Sequence, residues 1–501
     1  MIKISSRLLL IVCLVISVKG FSTDRQLTTA LEMVKNNQLA EAVPLLFTLS
    51  KKKGLEKEHI QIKYILGSAL IELKLYQVAV FQLVEVIRDK SGKYTRQAIE
   101  KLSVAADALG DETLLNYAVS RVELSKFPAN QKDMIYFRMG EIHMKNKQFP
   151  KAIEQYDMIR PQSRYYPRAQ FNKGLSLLES AKPKEAYVIF QNMYKMRASA
   201  GITDDYRVSA MIAMARAAYQ AEEWDRAVQV YRLIPRDHEL WHDSLFEMSW
   251  ALLRAAKFRS VLSNFQSLHS TYYENYYLAE SLLLRSIVYL YICKYDEMEK
   301  VIDLFERTYN PIRKQISDFV ANSREPIQFT NELDKARVYL RTGKRETMKL
   351  PISTLKYALN EGDVRGALGY IDRILEEKKS IEANEKFEKT AFLRYAQKVL
   401  VNRIKNTKIS IGEMVKAHML YLQDDLKDLY EQAGFVRYEM INGKKETIKK
   451  RLAGKALPKQ IDDDNARDFY IQNGFEYWPF DGEYWLDEVG NFHYLGKQNC
   501  E

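Results

Sequence analysis

The hydrophobic and polar positions of this chain repeat with a period of 34 to 41 residues between Leu27 and Phe305. Each unit has an apolar stretch that contains a small residue, then a polar turn, a bulky residue, an alanine three positions later and a second bulky residue four positions further on. Spacings of three and four residues place side chains on one face of a helix. Each unit therefore predicts a pair of helices joined by a turn. The clearest copy has Gly140, Phe149, Ala152 and Tyr156.

The alanine of the second helix recurs in phase, and valine or methionine replaces it in the last two units. Its positions are Ala42, Ala79, Ala152, Ala186, Ala227, Val261 and Met298. In one unit between Ala79 and Ala152 the pattern is only weakly recognisable. The pattern, with about eight helix pairs, resembles the tetratricopeptide repeat, or TPR. That resemblance implies stacked helix pairs that hold other chains and rarely carry chemistry of their own.

Within each pair the small residue of the first helix, such as Gly67, Gly140 or Gly174, is expected to let the two helices approach closely. The bulky residues are expected to fill the space between one pair and the next. We predict an all-α fold: a TPR-like helical-hairpin solenoid, then long packed helices, then a short C-terminal β-hairpin.

The chain divides into four predicted segments. Residues 1–20 have the pattern of a signal peptide, since Lys3 and Arg7 precede an apolar run from Leu8 to Val18 that is too short to span a bilayer. Residues 21–310 form the solenoid, 311–460 a long-helix region, and 461–501 an aromatic tail. After removal of the signal peptide, no remaining stretch is apolar enough to cross a membrane. We expect an exported protein that is periplasmic and possibly outer-membrane associated.

Apolar residues in the long-helix region alternate spacings of four and three from Val415 to Met440. This heptad seam, residues 415–440, predicts a long helix with one buried face. Its mate on the same chain is expected to be a helix over residues 383–404, and Gly412 and Gly443 are expected to mark its ends. A partner helix, or self-association of two copies, is the alternative.

The tail is dense in aromatic residues, and Asp487 to Gly490 have the composition of a turn, so a β-hairpin is expected. A two-stranded hairpin is marginal alone and should dock on the helices. The alternative is an exposed recognition patch for a glycan or a protein. Its residues would be Trp478, Phe480, Tyr484 and Trp485.

The formal charge of +11 falls to +8 when Lys3, Arg7 and Lys19 leave with the signal peptide, and it is spread along the chain. A nucleic-acid interface needs a continuous basic face, so no nucleic-acid partner is expected. Composition and motifs indicate no cofactor and no catalytic site.

One segment, His238-Glu239-Leu240-Trp241-His242, fits the zinc-protease motif HExxH. On a helix its two histidines would share a face and could hold zinc, with Glu239 as general base. Pro235 places His238 at or before the first helical turn, and no third ligand is evident. A metallopeptidase is therefore a remote alternative, and no metal site is expected.

Two cysteines remain after the signal peptide, Cys293 in a predicted turn and Cys500 at the end of the tail. Export would place both in an oxidising compartment. We hypothesise that they form a disulfide that holds the tail on the last repeats. Two free thiols, or a bond from Cys500 to a partner protein, are the alternatives.

Several segments resemble a group of exported TPR proteins from Gram-negative gliding and predatory bacteria. The similarity is carried by residues 241–251, 276–280, 293–298 and 482–490, and by Cys500. Leu278 and Met298 depart from the group's usual proline and alanine. The resemblance implies a periplasmic or outer-membrane-associated assembly protein without catalytic activity.

These observations predict a scaffold or adaptor that binds other envelope proteins or peptides, in motility, secretion or outer-membrane assembly. A cell-wall glycan-binding module acting through the tail is the alternative. The first helices of successive pairs are expected to line a groove for an extended or helical peptide. The groove residues expected on these helices are Lys63, Arg138, Asn172, Arg216 and Glu247.

Overall fold

The computed structural model is helical wherever it has regular structure, and no strand occurs among the residues that it describes. Those residues are 25–89, 92–111, 129–196, 203–344, 347–452 and 483–494. The chain forms two compact units. The first unit comprises residues 1–165 and 362–411, and the second comprises residues 166–361 and 412–501.

Nineteen α-helices lie within the described ranges. In chain order they are α1 (Arg25–Lys35), α2 (Leu39–Leu49), α3 (His59–Glu72), α4 (Tyr76–Arg88), α5 (Thr95–Leu109), α6 (Ala129–Lys145), α7 (Phe149–Asp157), α8 (Tyr166–Glu179), α9 (Pro183–Lys195), α10 (Asp204–Gln220), α11 (Trp224–Tyr231), α12 (Trp241–Arg254), α13 (Phe258–Leu268), α14 (Ala279–Tyr291), α15 (Tyr295–Asn322), α16 (Ile327–Thr342), α17 (Ile352–Asn360), α18 (Gly362–Glu382) and α19 (Ala391–Leu452). The predicted signal peptide, residues 1–20, lies outside the described residues.

Seven turns that join the two helices of a pair share one backbone geometry. Each contains a non-glycine residue in the left-handed region, with φ between 55° and 61°. The residue after it donates its N–H to a carbonyl five residues earlier, at 2.8–2.9 Å, which closes the first helix as a Schellman motif. The left-handed residues are Asn37, Lys74, Lys147, Ala181, Glu222, Ala256 and Cys293.

The predicted repeat register is confirmed by these turns and by burial. Each left-handed residue stands five positions before the predicted small position of the second helix, from Ala42 to Met298. All seven of those positions are 0% exposed. The fixed offset means that the turn delivers the same side of every second helix to the core.

The small residue of the first helix contacts the bulky residue of its own pair. A Cβ added at Gly174 would lie 2.5 Å from the ring of Phe190, and one added at Gly67 would lie 2.8 Å from Leu83. The expectation of a close approach within a pair is therefore confirmed. The bulky residues, however, fill space within a pair as well as between pairs.

In the first unit, α18 is held to the start of α4 by a buried carboxylate. Glu377 accepts hydrogen bonds from the N–H groups of Gln77 at 2.7 Å and Val78 at 3.0 Å. These are first-turn amides that have no partner within their helix. Tyr370, also on α18, donates its hydroxyl to the Gln77 side chain, and Arg403 of α19 donates to Tyr370 at 2.6 Å.

In the second unit, the heptad seam of α19 packs along α15. Tyr430 contacts Phe305 with ring centroids 4.8 Å apart, and Gln423 donates to Ser317 at 3.1 Å. Farther along, Arg437 forms ion pairs with Asp303 and Glu306 at 3.0 Å. The seam residues from Val415 to Ala433 are buried, so the seam packs on its own chain.

Two expectations about this helix are wrong. Residues 391–404 lie in the same continuous helix, α19, as the heptad seam. They therefore cannot form a separate helix that packs against the seam. Gly412 and Gly443 lie inside α19 rather than at its ends. A Cβ at Gly412 would overlap the Pro326 carbonyl, and one at Gly443 would overlap the Tyr295 ring. These glycines permit close contact, which sequence alone does not distinguish from a helix end.

The segment boundary placed at residue 310 falls within α15, which continues through Pro311 to Asn322. The predicted C-terminal β-hairpin is also wrong for residues 483–494, where residues 486–491 form a turn. The N–H of Gly490 donates to Ser267 at 2.7 Å, and that of Tyr494 donates to Ser263 at 2.9 Å. Because the N–H groups of Gly490 and Tyr494 donate to serine hydroxyls of α13, these N–H groups do not form hydrogen bonds to a neighbouring strand.

We expect Gly174→Ala to lower the free energy of unfolding by about 1–3 kcal/mol, because the new Cβ would force Phe190 out of its place between the helices. Gly434→Ala is the matched control in the same unit, since nothing lies within 4 Å of its Cβ position. This exposed helical site should gain about 0.5–1 kcal/mol from the alanine. Denaturant midpoints compare the variants, and equal effects would contradict the close approach.

A second prediction concerns pH. Burial raises the pKa of Glu377 from its ordinary value of 4.5 to about 7, against the opposing effect of the Gln77 and Val78 amides. The folded state therefore keeps a proton that the unfolded chain loses. The stability present below pH 4.5 should fall as the pH rises through about 7, by up to about 3 kcal/mol. Glu377→Gln should show a smaller loss between pH 5 and pH 8 than the unmodified chain.

Thermal unfolding at several pH values measures this difference. Glu376→Gln is the control, because Glu376 is exposed on the same helix and its replacement should leave the pH dependence unchanged. Identical pH profiles for Glu377→Gln and the unmodified chain would contradict the assignment.

Candidate functional site

A cavity of about 600 Å³ opens among the first helices of three consecutive pairs in the second unit. These helices are α8, α10 and α12, and the cavity also includes the residue before α12, Leu240. Its size is typical of a ligand pocket. The location on first helices is the one that the repeat pattern predicts for a groove.

The floor of the cavity is apolar. Phe171, Leu175 and Leu178 follow one another at helical spacing on α8, so they share one face. Ile212 and Ala213 of α10 also line the cavity. Gly174 lies beside this face of α8 and packs on Phe190 of its own pair, and the Phe171 ring also contacts Phe190 with ring centroids 5.6 Å apart.

The rim of the cavity carries charged groups from each first helix. Glu179 stands at the end of α8, Asp243 at the start of α12, and Arg216 on α10. Arg216 forms a two-pronged ion pair with Glu247, with Nε to Oε2 at 2.8 Å and Nη2 to Oε1 at 2.6 Å. Three carboxylates, those of Glu179, Asp243 and Glu247, stand against Arg216 and the nearby Lys356, so the net charge around the rim is negative.

A third group fixes this ion pair. Tyr231 of α11 donates its hydroxyl to Oε2 of Glu247 at 2.8 Å. Burial raises the pKa of Tyr231, and the hydrogen bond to Glu247 raises the pKa of Arg216, so both groups keep their protons. Glu247 thus accepts from two side chains, and Arg216 is held at the cavity in one orientation.

The five expected groove residues lie in different settings. Arg216 lines the cavity, and Glu247 holds the Arg216 side chain there through their ion pair. Asn172 is half-buried beside Phe171 on α8. Lys63 belongs to the first unit and pairs with Glu85 at 2.5 Å. The apolar floor was missed, although its helical spacing was present in the sequence, because such spacing is equally typical of core packing.

Arg138, the fifth expected residue, is fully buried in the first unit. Its guanidinium pairs with Asp107 at 2.5 Å and with Glu141 at 2.8 Å. An arginine enclosed in this way joins α5 to α6 and presents no surface to a partner. Its burial depends on a carboxylate 31 residues earlier, which the repeat pattern does not indicate.

The HExxH segment does not assemble as a helical zinc site. The helix α12 begins at Trp241, so His238 lies in the turn before it, where its Nδ1 accepts from the N–H of Leu240 at 3.1 Å. His242 is buried between Tyr276 and Tyr273, with ring centroids at 4.2 Å and 4.4 Å. Among the residues that the structure describes, no group of three histidine, cysteine or acidic side chains could hold a metal.

The described part of the tail docks on α12 and α13. Val489 is buried, Asn491 accepts from Arg236, and a Cβ at Gly490 would lie 2.7 Å from the Trp241 ring. Gly490 has φ of 88°, a conformation that favours glycine. Both features fix the turn on the helix surface.

Two residues of the expected tail patch are described. Tyr484 is half-buried against Phe492, with ring centroids 6.0 Å apart, and Trp485 is 61% exposed. Trp478 and Phe480 lie outside the described residues. Recognition of a glycan or a protein by this patch stays a prediction.

Cys293 occupies the left-handed turn position of its helix pair and is disulfide-bonded. Its partner lies outside the described part of the chain, as does Cys500. Tyr494, six positions before Cys500, contacts Tyr289, four positions before Cys293, with ring centroids 6.5 Å apart. The pairing of Cys293 with Cys500 stays a prediction that this proximity favours.

No helix within the described ranges has the length and apolar character needed to cross a membrane.

Comparisons with known proteins give little further information. No protein-family model matches the chain, and no curated protein matches it. Among solved structures, the TPR domain of P58(IPK) is similar at 13% sequence identity, over 75% of this chain and 98% of that chain, with a TM-score of 0.20. That score is too low to establish a fold, so the repeat architecture of this chain rests on its own helix pairs and turns.

Proposed function

We propose that this chain is a non-catalytic scaffold that binds a segment of another protein in the cavity formed by α8, α10 and α12. The observation that carries the proposal is the apolar floor contributed by α8 and α10, the first helices of two consecutive pairs. Stacked helix pairs commonly use such surfaces to hold peptides. The separation of the two HExxH histidines between a turn and a helix start favours this function over a metallopeptidase.

The chemistry of the cavity defines the ligand that it fits. Phe171, Leu175 and Ile212 offer contacts for apolar side chains. Glu179 and Asp243 at the rim favour lysine or arginine beside them. We therefore propose a peptide segment in which one or two large apolar residues are flanked by basic residues.

We further propose that the protein is exported and acts with other proteins of the cell envelope. The signal-peptide pattern of residues 1–20 supports export. The disulfide bond of Cys293 supports an oxidising compartment such as the periplasm, because disulfides rarely persist in the cytosol. The resemblance to exported TPR proteins supports the same location.

A peptide-binding experiment tests the scaffold function. The purified full-length protein is screened against a random peptide library, and selected peptides are measured by fluorescence anisotropy. We expect enrichment of an aromatic or aliphatic residue next to lysine or arginine. Leu175→Lys should weaken the selected peptides at least tenfold, because it places a cation in the apolar floor.

Val188→Lys is the matched control, since Val188 is 51% exposed on α9 and does not line the cavity. Circular dichroism checks that both variants fold. Equal weakening by both lysine variants, or selection of acidic peptides, would contradict the proposed ligand.

Export is tested separately. We expect a mature N-terminus near Phe21 and recovery of the protein in the periplasmic or envelope fraction. Thiol counting on denatured, unreduced protein should find no reactive thiol if Cys293 and Cys500 are paired. Retention of Met1 on cytosolic protein would contradict export, and two reactive thiols would contradict the bridge.

A further inference from the structure

The second unit exposes an apolar stripe along the last part of α19. Phe435 is 73% exposed, Tyr438 61%, Ile441 56% and Ile448 54%. The stripe is about 20 Å long, from a rise of 1.5 Å per residue over the 13 steps from Phe435 to Ile448. Exposed apolar surface of this kind on a helix marks a contact surface.

The stripe lies on the face of α19 opposite to the heptad seam. Ala433 and Met440 of the seam are buried against the unit's own helices, whereas residues 434, 435, 438 and 441 are exposed. A Cβ at Gly434 would meet nothing within 4 Å, so the helix surface is open there. The seam already accounts for the packing of α19 on its own chain, and it leaves this second face uncovered by any described residue.

The net charge differs in sign between the two sides of the stripe, although Lys427 lies among the carboxylates and Glu446 among the lysines. Asp424, Asp428 and Glu431 precede it and are exposed. Lys445 and Lys449 lie at its other end and are exposed. The net charge is therefore negative before Phe435 and positive around Lys445 and Lys449, and Phe435 and Tyr438 lie between the two charged regions.

We propose that a second copy of this chain docks on the stripe, with the two α19 helices antiparallel and the twofold axis at Tyr438. Glu431 and Lys445 each lie seven positions from Tyr438, so each Glu431 would face Lys445 of the other copy. Phe435 and Ile441, each three positions away, would face each other. A twofold contact forms every such pair twice.

The charge order selects this arrangement over a parallel one. Parallel helices in register would place Glu431 against Glu431 and Lys445 against Lys445, which is repulsive. In the antiparallel arrangement Lys427 would face Lys449, but Lys449 is paired with Glu446 of its own helix at 2.6 Å. The two Glu431–Lys445 pairs therefore set the orientation.

Sedimentation equilibrium of the full chain between 1 and 100 μM tests the proposal. We expect a monomer–dimer equilibrium. Glu431→Lys should raise the dimer dissociation constant at least tenfold, because each contact would then join two lysines. The double variant Glu431→Lys, Lys445→Glu should restore the dimer, since it reverses the pair without changing its complementarity.

Glu413→Lys is the matched control, because Glu413 is exposed on the same helix far from the stripe, and it should leave dimerisation unchanged. Circular dichroism and thermal unfolding establish that the variants fold. A monomer at 100 μM would overturn the proposal, and it is the result expected if residues 453–482 of the same chain cover the stripe. A dimer that Glu431→Lys leaves unchanged, or that the double variant fails to restore, would also overturn it.

Discussion

The helix pairs of this protein depend on one backbone constraint, a left-handed residue at the turn between the two helices. Leaving the right-handed region costs a non-glycine residue about 1–2 kcal/mol. The capping hydrogen bond across the turn and the side chain buried five residues later offset this cost. Since the same offset holds in seven turns, the constraint sets which side of each second helix meets the first.

The repeat register could be predicted from sequence because it depends on local spacing. Small and bulky residues recur at fixed distances, and each helix pair is complete within a stretch shorter than 45 residues. Arg216 and Glu247 could be placed at the groove for a related reason, since the register assigns both to successive first helices. Their ion pair was not foreseen, because it joins residues of neighbouring repeats.

The features that sequence did not predict depend on distant parts of the chain. Gly412 and Gly443 have the composition of helix ends, but they mark contacts with Pro326 and Tyr295, more than 80 residues earlier. The tail has the composition of a hairpin, yet its amides bond to serines of α13. In each case a local signal had two physical meanings, and the neighbour that decides between them lies far away in sequence.

The turn position has a consequence for how such a repeat can change. The seven residues found there are an asparagine, two lysines, two alanines, a glutamate and a cysteine, so neither size nor charge is restricted. The backbone, rather than the side chain, carries the structural requirement. The disulfide-bonded Cys293 therefore occupies a position where the buried core does not constrain the side chain. Each turn therefore offers a position whose side chain is not constrained by packing. A cross-link or a charge can be introduced there in one repeat without altering the stacking of the others.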